Sequence, residues 1–86
     1  MKMNGKLYKG SLIISNTSCV VQEDFGGYQD KLEALLVMVS HDLGTPVPMW
    51  LSKNTKEYVR FKRTIFGADQ FFEDVFFDRM EIRVEE

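Results

Sequence analysis

Apolar residues recur with a helical period in only one stretch of the chain. Leu32, Leu35, Leu36, Val39 and Leu43 stand at i, i+3, i+4, i+7 and i+11, a single stripe along a helix. Asp30 and Glu33 fall in its first turns, where the helix dipole favours acids. Gly44 supplies a left-handed stop and Pro46 prevents continuation. The spacing therefore predicts a helix over residues 28–43, entered through a flexible Gly26-Gly27 joint. Burying five such aliphatics contributes roughly 1.5 to 3 kcal/mol each, so on the order of 10 kcal/mol gross. The centre of the core lies here.

The remaining apolar residues alternate with polar ones, as strands do. Residues 6–15 and 19–22 read as a hairpin turning at Asn16-Thr17-Ser18, with Gly10 as a bulge or break. Asn4-Gly5 is a hairpin dipeptide with little before it to pair, and marks a frayed start. Pro46 and Pro48 force 45–48 to be extended, and Met49-Trp50-Leu51-Ser52 continues as a short edge strand before a turn at 53–56. In residues 57–66, Val59, Phe61 and Ile65 alternate with Tyr58, Arg60, Lys62 and Thr64, the clearest strand pattern in the chain; Arg63 breaks its apolar side and belongs at the rim. Residues 68–74 make one or two helical turns with Asp69 as N-cap. In 75–85, Phe76, Met80, Ile82 and Val84 face one way, and Phe77, Arg79, Glu81, Arg83 and Glu85 the other; Asp78 marks a strand end.

The order ββαβ(β), short helical turn, β predicts an α+β two-layer sandwich: one long helix packed on a mostly antiparallel sheet of four to five strands. The predicted core is Leu32, Leu35, Leu36, Val39, Leu43, Val59, Phe61, Ile65, Phe76, Met80, Ile82 and Val84.

Composition narrows the setting. Eighty-six residues make one domain, and 44% hydrophobic with 28% charged residues suits a folded chain. A net charge of -2 steers toward neither nucleic acid nor membrane. The lone Cys19 excludes an internal disulfide, and no apolar run, 12–14 and 34–39 included, reaches the length of a leader core, so a cytoplasmic protein is expected. Charge is nevertheless uneven. Residues 53–63 carry five basic side chains against Glu57, a net of +4, while 69–86 carry seven acids against Arg79 and Arg83, a net of -5. Two such strands side by side would form cross-strand ion pairs.

No catalytic set stands out. His41 is the only histidine, and its neighbour Asp42 points about 100° away on a helix, so it cannot orient His41 as a triad acid would. Cys19 and His41 are too few for structural zinc, and Cys19 lies among apolar neighbours with no cation to activate it. Gly26-Gly27 precedes a helix but lacks either glycine fingerprint for phosphate. No cofactor is expected. The basic stretch with Tyr58, Phe61 and Phe66 resembles a stacking surface for single-stranded nucleic acid, without a ribonucleoprotein motif.

Aromatic residues are the oddity. Six of the seven phenylalanines fall within 61–77, more than one interior face needs. Tyr58, Phe66 and Phe77 on the outer sheet face, among Arg60, Lys62, Arg79 and Glu81, would make an interface patch. Charges of both signs suit a two-fold contact with a second copy. The expected function is a small non-catalytic binding or regulatory module working through a protein partner or homodimer. The alternative is a single-stranded nucleic-acid binder using Lys53, Lys56, Arg60 and Lys62. A third is a small-molecule site, or an enzyme subunit, with His41 and Trp50 bordering a pocket.

Overall fold

Four antiparallel strands lie side by side in the order β2-β1-β4-β3, and two helices cover one face of them. In this computed structural model, which describes all 86 residues, the elements are β1 (Lys2–Lys9), β2 (Leu12–Val20), α1 (Tyr28–Leu43), α2 (Ser52–Phe61), β3 (Arg63–Gly67) and β4 (Arg79–Glu85), with a 3-10 turn at Ala68–Gln70. Gly5 of β1 meets Val39 of α1, and Thr64 of β3 is hydrogen-bonded to Asn54 of α2. Gly5 and Thr64 both oppose Ile82 across the sheet, so the two helices share its face. The result is the expected α+β class with a second helix added. No helix is long and apolar enough to cross a membrane.

The long helix forms where its stripe predicts. Gly27 caps it with its N–H donated to Asp30 Oδ2 at 3.1 Å, and Gly44 ends it at φ 71°. Leu35, Leu36, Val39 and Leu43 are buried and Leu32 partly so, against Met3 and Leu7 of β1 and Met80, Ile82 and Val84 of β4. Gly5 lets the helix come this close: a Cβ there would stand 2.3 Å from Val39 Cγ1. The Asn4-Gly5 pair is thus not a turn but mid-strand, serving packing instead.

The hairpin also turns elsewhere than expected. Gly10 takes φ 61° between β1 and β2, and Asp78 accepts its N–H. Asn16, Thr17 and Ser18 continue a nine-residue strand. Their polarity reflects the sheet's rim, where half of each residue meets water, and not a reversal of the chain.

Residues 49–66 depart most from expectation. Met49–Leu51 is irregular, and Ser52 opens a helix where a turn and then a strand were predicted. Asn54 Oδ1 accepts the Leu51 N–H at 2.9 Å and holds the first turn. Asn54 and Tyr58, four residues apart, are the buried positions of α2, a helical spacing hidden behind the accidental alternation of Val59, Phe61 and Ile65. Those three are exposed at 73%, 57% and 38% and leave the predicted core. The basic segment is therefore mostly helix. Between the basic and acidic segments only Arg63–Glu81, at 3.7 Å, and Lys62–Glu86, at 3.9 Å, pair, while Arg63 stands directly opposite Arg83.

Between β3 and β4 the predicted helical turns shrink to the one 3-10 turn, capped by Gly67 and not Asp69, with Gly67 N–H donated to Gln70 Oε1 at 3.1 Å. The last strand begins only at Arg79, so period-two alternation stops short of the phenylalanines before it. Phe77 is buried against Phe71, and Phe76 is 58% exposed, the reverse of the expected arrangement. Met80, Ile82 and Val84 keep their core positions.

Candidate functional site

The two edges of the sheet differ in how their backbones end. At the β3 edge, residues pairing with β4 through Thr64 and Phe66 leave the groups of Ile65 and Gly67 pointing away. One group of each is taken up: Ile65 O accepts Asn54 Nδ2 at 3.1 Å, and Gly67 N–H goes to Gln70. Asn54, Thr64 and Gln70 form a buried network. Asn54 Nδ2 donates to Thr64 Oγ1 at 2.7 Å, and Gln70 Nε2 donates to Asn54 Oδ1 at 2.9 Å and to Met49 O at 3.0 Å. Every member finds partners, the condition under which a buried polar cluster stabilises.

The β2 edge has no such cover. The Val21 N–H bonds Met1 O at 3.0 Å, which fixes the phase of the ladder up to the bulge: Ser15, Thr17 and Cys19 face β1, and the backbones of Asn16, Ser18 and Val20 point outward. No hydrogen bond within the chain reaches those outward groups. The strand is nine residues long and contains neither a charge nor a proline, and its one irregularity is a β-bulge opposite Leu7/Tyr8, which leaves Ser15–Val20 in regular register. Its ends are apolar and exposed (Leu12, Ile13, Ile14 and Val20) and its middle, Ser15–Ser18, is polar.

Helix α1 runs above this edge. Asp42 Oδ2 accepts Thr17 Oγ1 at 3.2 Å and the Cys19 thiol at 3.3 Å, tying the helix to β2. Burial first, then the bond to Asp42, pushes the Cys19 thiol above its ordinary range, so it stays a protonated donor. Met38, one turn before Asp42, is 39% exposed on the same side, next to Ala34, Val37 and Phe25.

A second concavity, about 510 Å³, lies between α1 and α2. Tyr28, Leu32, Leu36, Trp50 and Tyr58 wall it, with Gln29, Glu33, Thr55 and Lys62 at its rim. The Tyr28 and Tyr58 hydroxyls share a hydrogen bond at 2.5 Å, and Trp50 stands edge-on to Tyr58 and Phe66. Burial, then the bond to Tyr28, pushes the Tyr58 hydroxyl far above the usual phenol range, so it remains neutral.

The predicted site residues do not form one patch. Tyr58, Phe66 and Phe77 are 6%, 0% and 3% exposed and belong to the interior, because α2 turns Tyr58 inward and Phe66 lies on the helix-covered face. Arg60 and Lys62 sit on and just after α2. Arg79, Glu81 and Arg83 do occupy the bare face of the sheet, where Tyr8 donates to Glu81 at 3.2 Å beneath the Arg79 guanidinium. The basic strand imagined for nucleic acid does not exist. Phe61 is exposed between Arg60 and Arg63 instead, at the helix end. His41 is exposed and lines no part of the cleft, whereas Trp50 does. No three of the His, Cys, Asp and Glu side chains group closely enough to hold a metal ion. The edge strand itself could have been found from its sequence, since nine residues without charge or proline are conspicuous in a chain with 28% charged residues. Its single pairing partner could not. No protein-family model, curated protein or solved structure matches this chain.

Proposed function

We propose that this chain is a small, non-catalytic binding module that acts through protein contact, and that its partner is a second copy joined antiparallel along β2. The observation that carries the reading is the open, uncharged β2 edge beside a β3 edge partly capped by Asn54 and Gln70. An open edge extends a sheet by main-chain hydrogen bonds, and here it is self-complementary. Antiparallel two-fold pairing sets the apolar Leu12–Ile14 end of one strand near Val20 of its mate and the polar middles together, with no charge to repel. A two-fold axis normal to the sheet keeps both α1 helices on one face, with Met38 and Ala34 flanking the seam. Because Asn54 and Gln70 occupy part of the β3 edge, β2 is the edge left for pairing, and growth stops at two. A cytosolic setting suits the reading, since the unpaired Cys19 thiol is kept protonated and donates to Asp42.

Sedimentation equilibrium on the wild type and on Asn16→Lys with Ser18→Lys tests this. The wild type should reach twice the 10.0 kDa chain mass with rising concentration. The lysine pair, placed on outward positions, should hold the monomer mass with the melting profile of a folded chain. A wild type that stays monomeric at every concentration, or a dimer untouched by the lysines, contradicts the proposal.

A further inference from the structure

The geometry points to a separate binding site in the cleft between α1 and α2, for a small aromatic carboxylate held by Lys62. The volume, about 510 Å³, lies in the range of small-ligand sites, and Trp50, Tyr28 and Tyr58 offer faces and edges on which a flat ring packs. Trp50 is held for this role by donating its Nε1–H to Thr55 Oγ1 at 2.8 Å.

Lys62 carries the charge recognition. It caps α2 at φ 55°, ψ 27°, the only residue other than glycine in the left-handed region, where glycine or asparagine serves without a comparable cost. A lysine in that position projects its ammonium over the cleft mouth, 5.5 Å from the Tyr28 ring centre and 5.3 Å from that of Tyr58, and donates to Tyr28 Oη at 3.4 Å. Its only acidic partner is Glu86 at 3.9 Å, and both side chains are about half exposed, so a carboxylate entering the cleft displaces a weak pair. Glu33 on the same rim sets the class of anion. With Glu86 paired to Lys62 and Glu33 also lining the cleft, a second negative charge on the ligand adds repulsion, so a single carboxylate is accepted over a phosphate monoester.

Trp50 is the only tryptophan, so its emission reports occupancy directly. Titration with phenylacetate should give a saturable change in that emission below about 10 mM, a weak but specific affinity. Phenylacetamide, lacking the charge, and phenyl phosphate, doubly charged, should each bind at least about tenfold more weakly. Lys62→Asn should melt no lower than the wild type, because asparagine tolerates the left-handed backbone, yet lose phenylacetate binding by the same factor. Lys62→Met keeps the aliphatic stem over the tyrosines and should lose binding too. The proposal is overturned if phenylacetate gives no saturable signal, if phenylacetamide or phenyl phosphate binds equally well, or if either variant keeps the wild-type affinity.

Discussion

The β3 edge is five residues long and partly capped; the β2 edge is nine residues long and uncapped. Both belong to the same small sheet, and the difference lies in what the following chain does. After β3 the 3-10 turn brings Gln70 back to Gly67, while α2, entering from the other side, brings Asn54 to Ile65. After β2 the chain leaves through irregular residues 21–27 into α1, which packs over β1 and β2 without reaching beside the strand. Side chains of Asp42 and Asn4 touch β2 only through Thr17, Cys19 and Ser18 side-chain atoms, leaving its outward backbone free.

Removing the β3 cap is the strongest way to break this contrast. Asn54→Ala removes four hydrogen bonds at once, to Leu51, Thr64, Ile65 and Gln70, from a side chain that is itself 0% exposed. Stripping the cap should cost about 2 to 4 kcal/mol in chemical denaturation, since stranded buried polar groups keep their desolvation penalty. The same variant frees the Ile65 carbonyl on the β3 edge, so light scattering should show species larger than a dimer at high concentration. A stable variant that stops at the wild-type mass would remove the cap from the account.

A smaller effect concerns how β2 is fastened to α1. The folded chain holds the Cys19 thiol above its ordinary value of 9.0, by burial and by the bond to Asp42. A raised folded value means that the protonated thiol stabilises the fold, fully below pH 9 and less as pH climbs through the folded value. Cys19→Ser cannot titrate there, so it should lose less stability than the wild type between pH 9 and pH 10. At pH 7 the two should differ by about 1 kcal/mol or less, because serine can donate to the same carboxylate. Tyr8 and Tyr58, also raised from 10.0, act in the same direction at higher pH in both proteins. Equal losses across that window would show that the thiol does not couple to folding.

Legibility of the chain follows the same division. Helix α1 could be read to the residue because its stripe, its acids and its glycine stop all agree, and local and tertiary demands coincide there. Strand β4 could be read from Met80, Ile82 and Val84, which face one buried layer. Residues 52–61 misled because Asn54 and Tyr58, polar or amphipathic side chains, take the buried positions while Val59 and Phe61 stay outside. Hydrophobic pattern cannot announce an interior made of amides and a phenol. The open edge was half visible: β2 shows an unblunted strand in its composition, but which strand ends a sheet is a matter of long-range order. The cleft was visible only as Trp50, since Tyr28, Tyr58 and Lys62 meet through two helices, one of them unforeseen.

The contrast between the edges comes down to individual amides, and hydrogen exchange read residue by residue at low and high protein concentration tests it most directly. Gly67 and Leu51, bonded to Gln70 and Asn54, should be protected equally at both concentrations. Asn16, Ser18 and Val20 should exchange fast when the protein is dilute and slow several-fold or more as it is concentrated, when each meets a carbonyl of the second copy. Fast exchange at these three positions at every concentration, with Gly67 protected throughout, would contradict the pairing of β2 with its own copy.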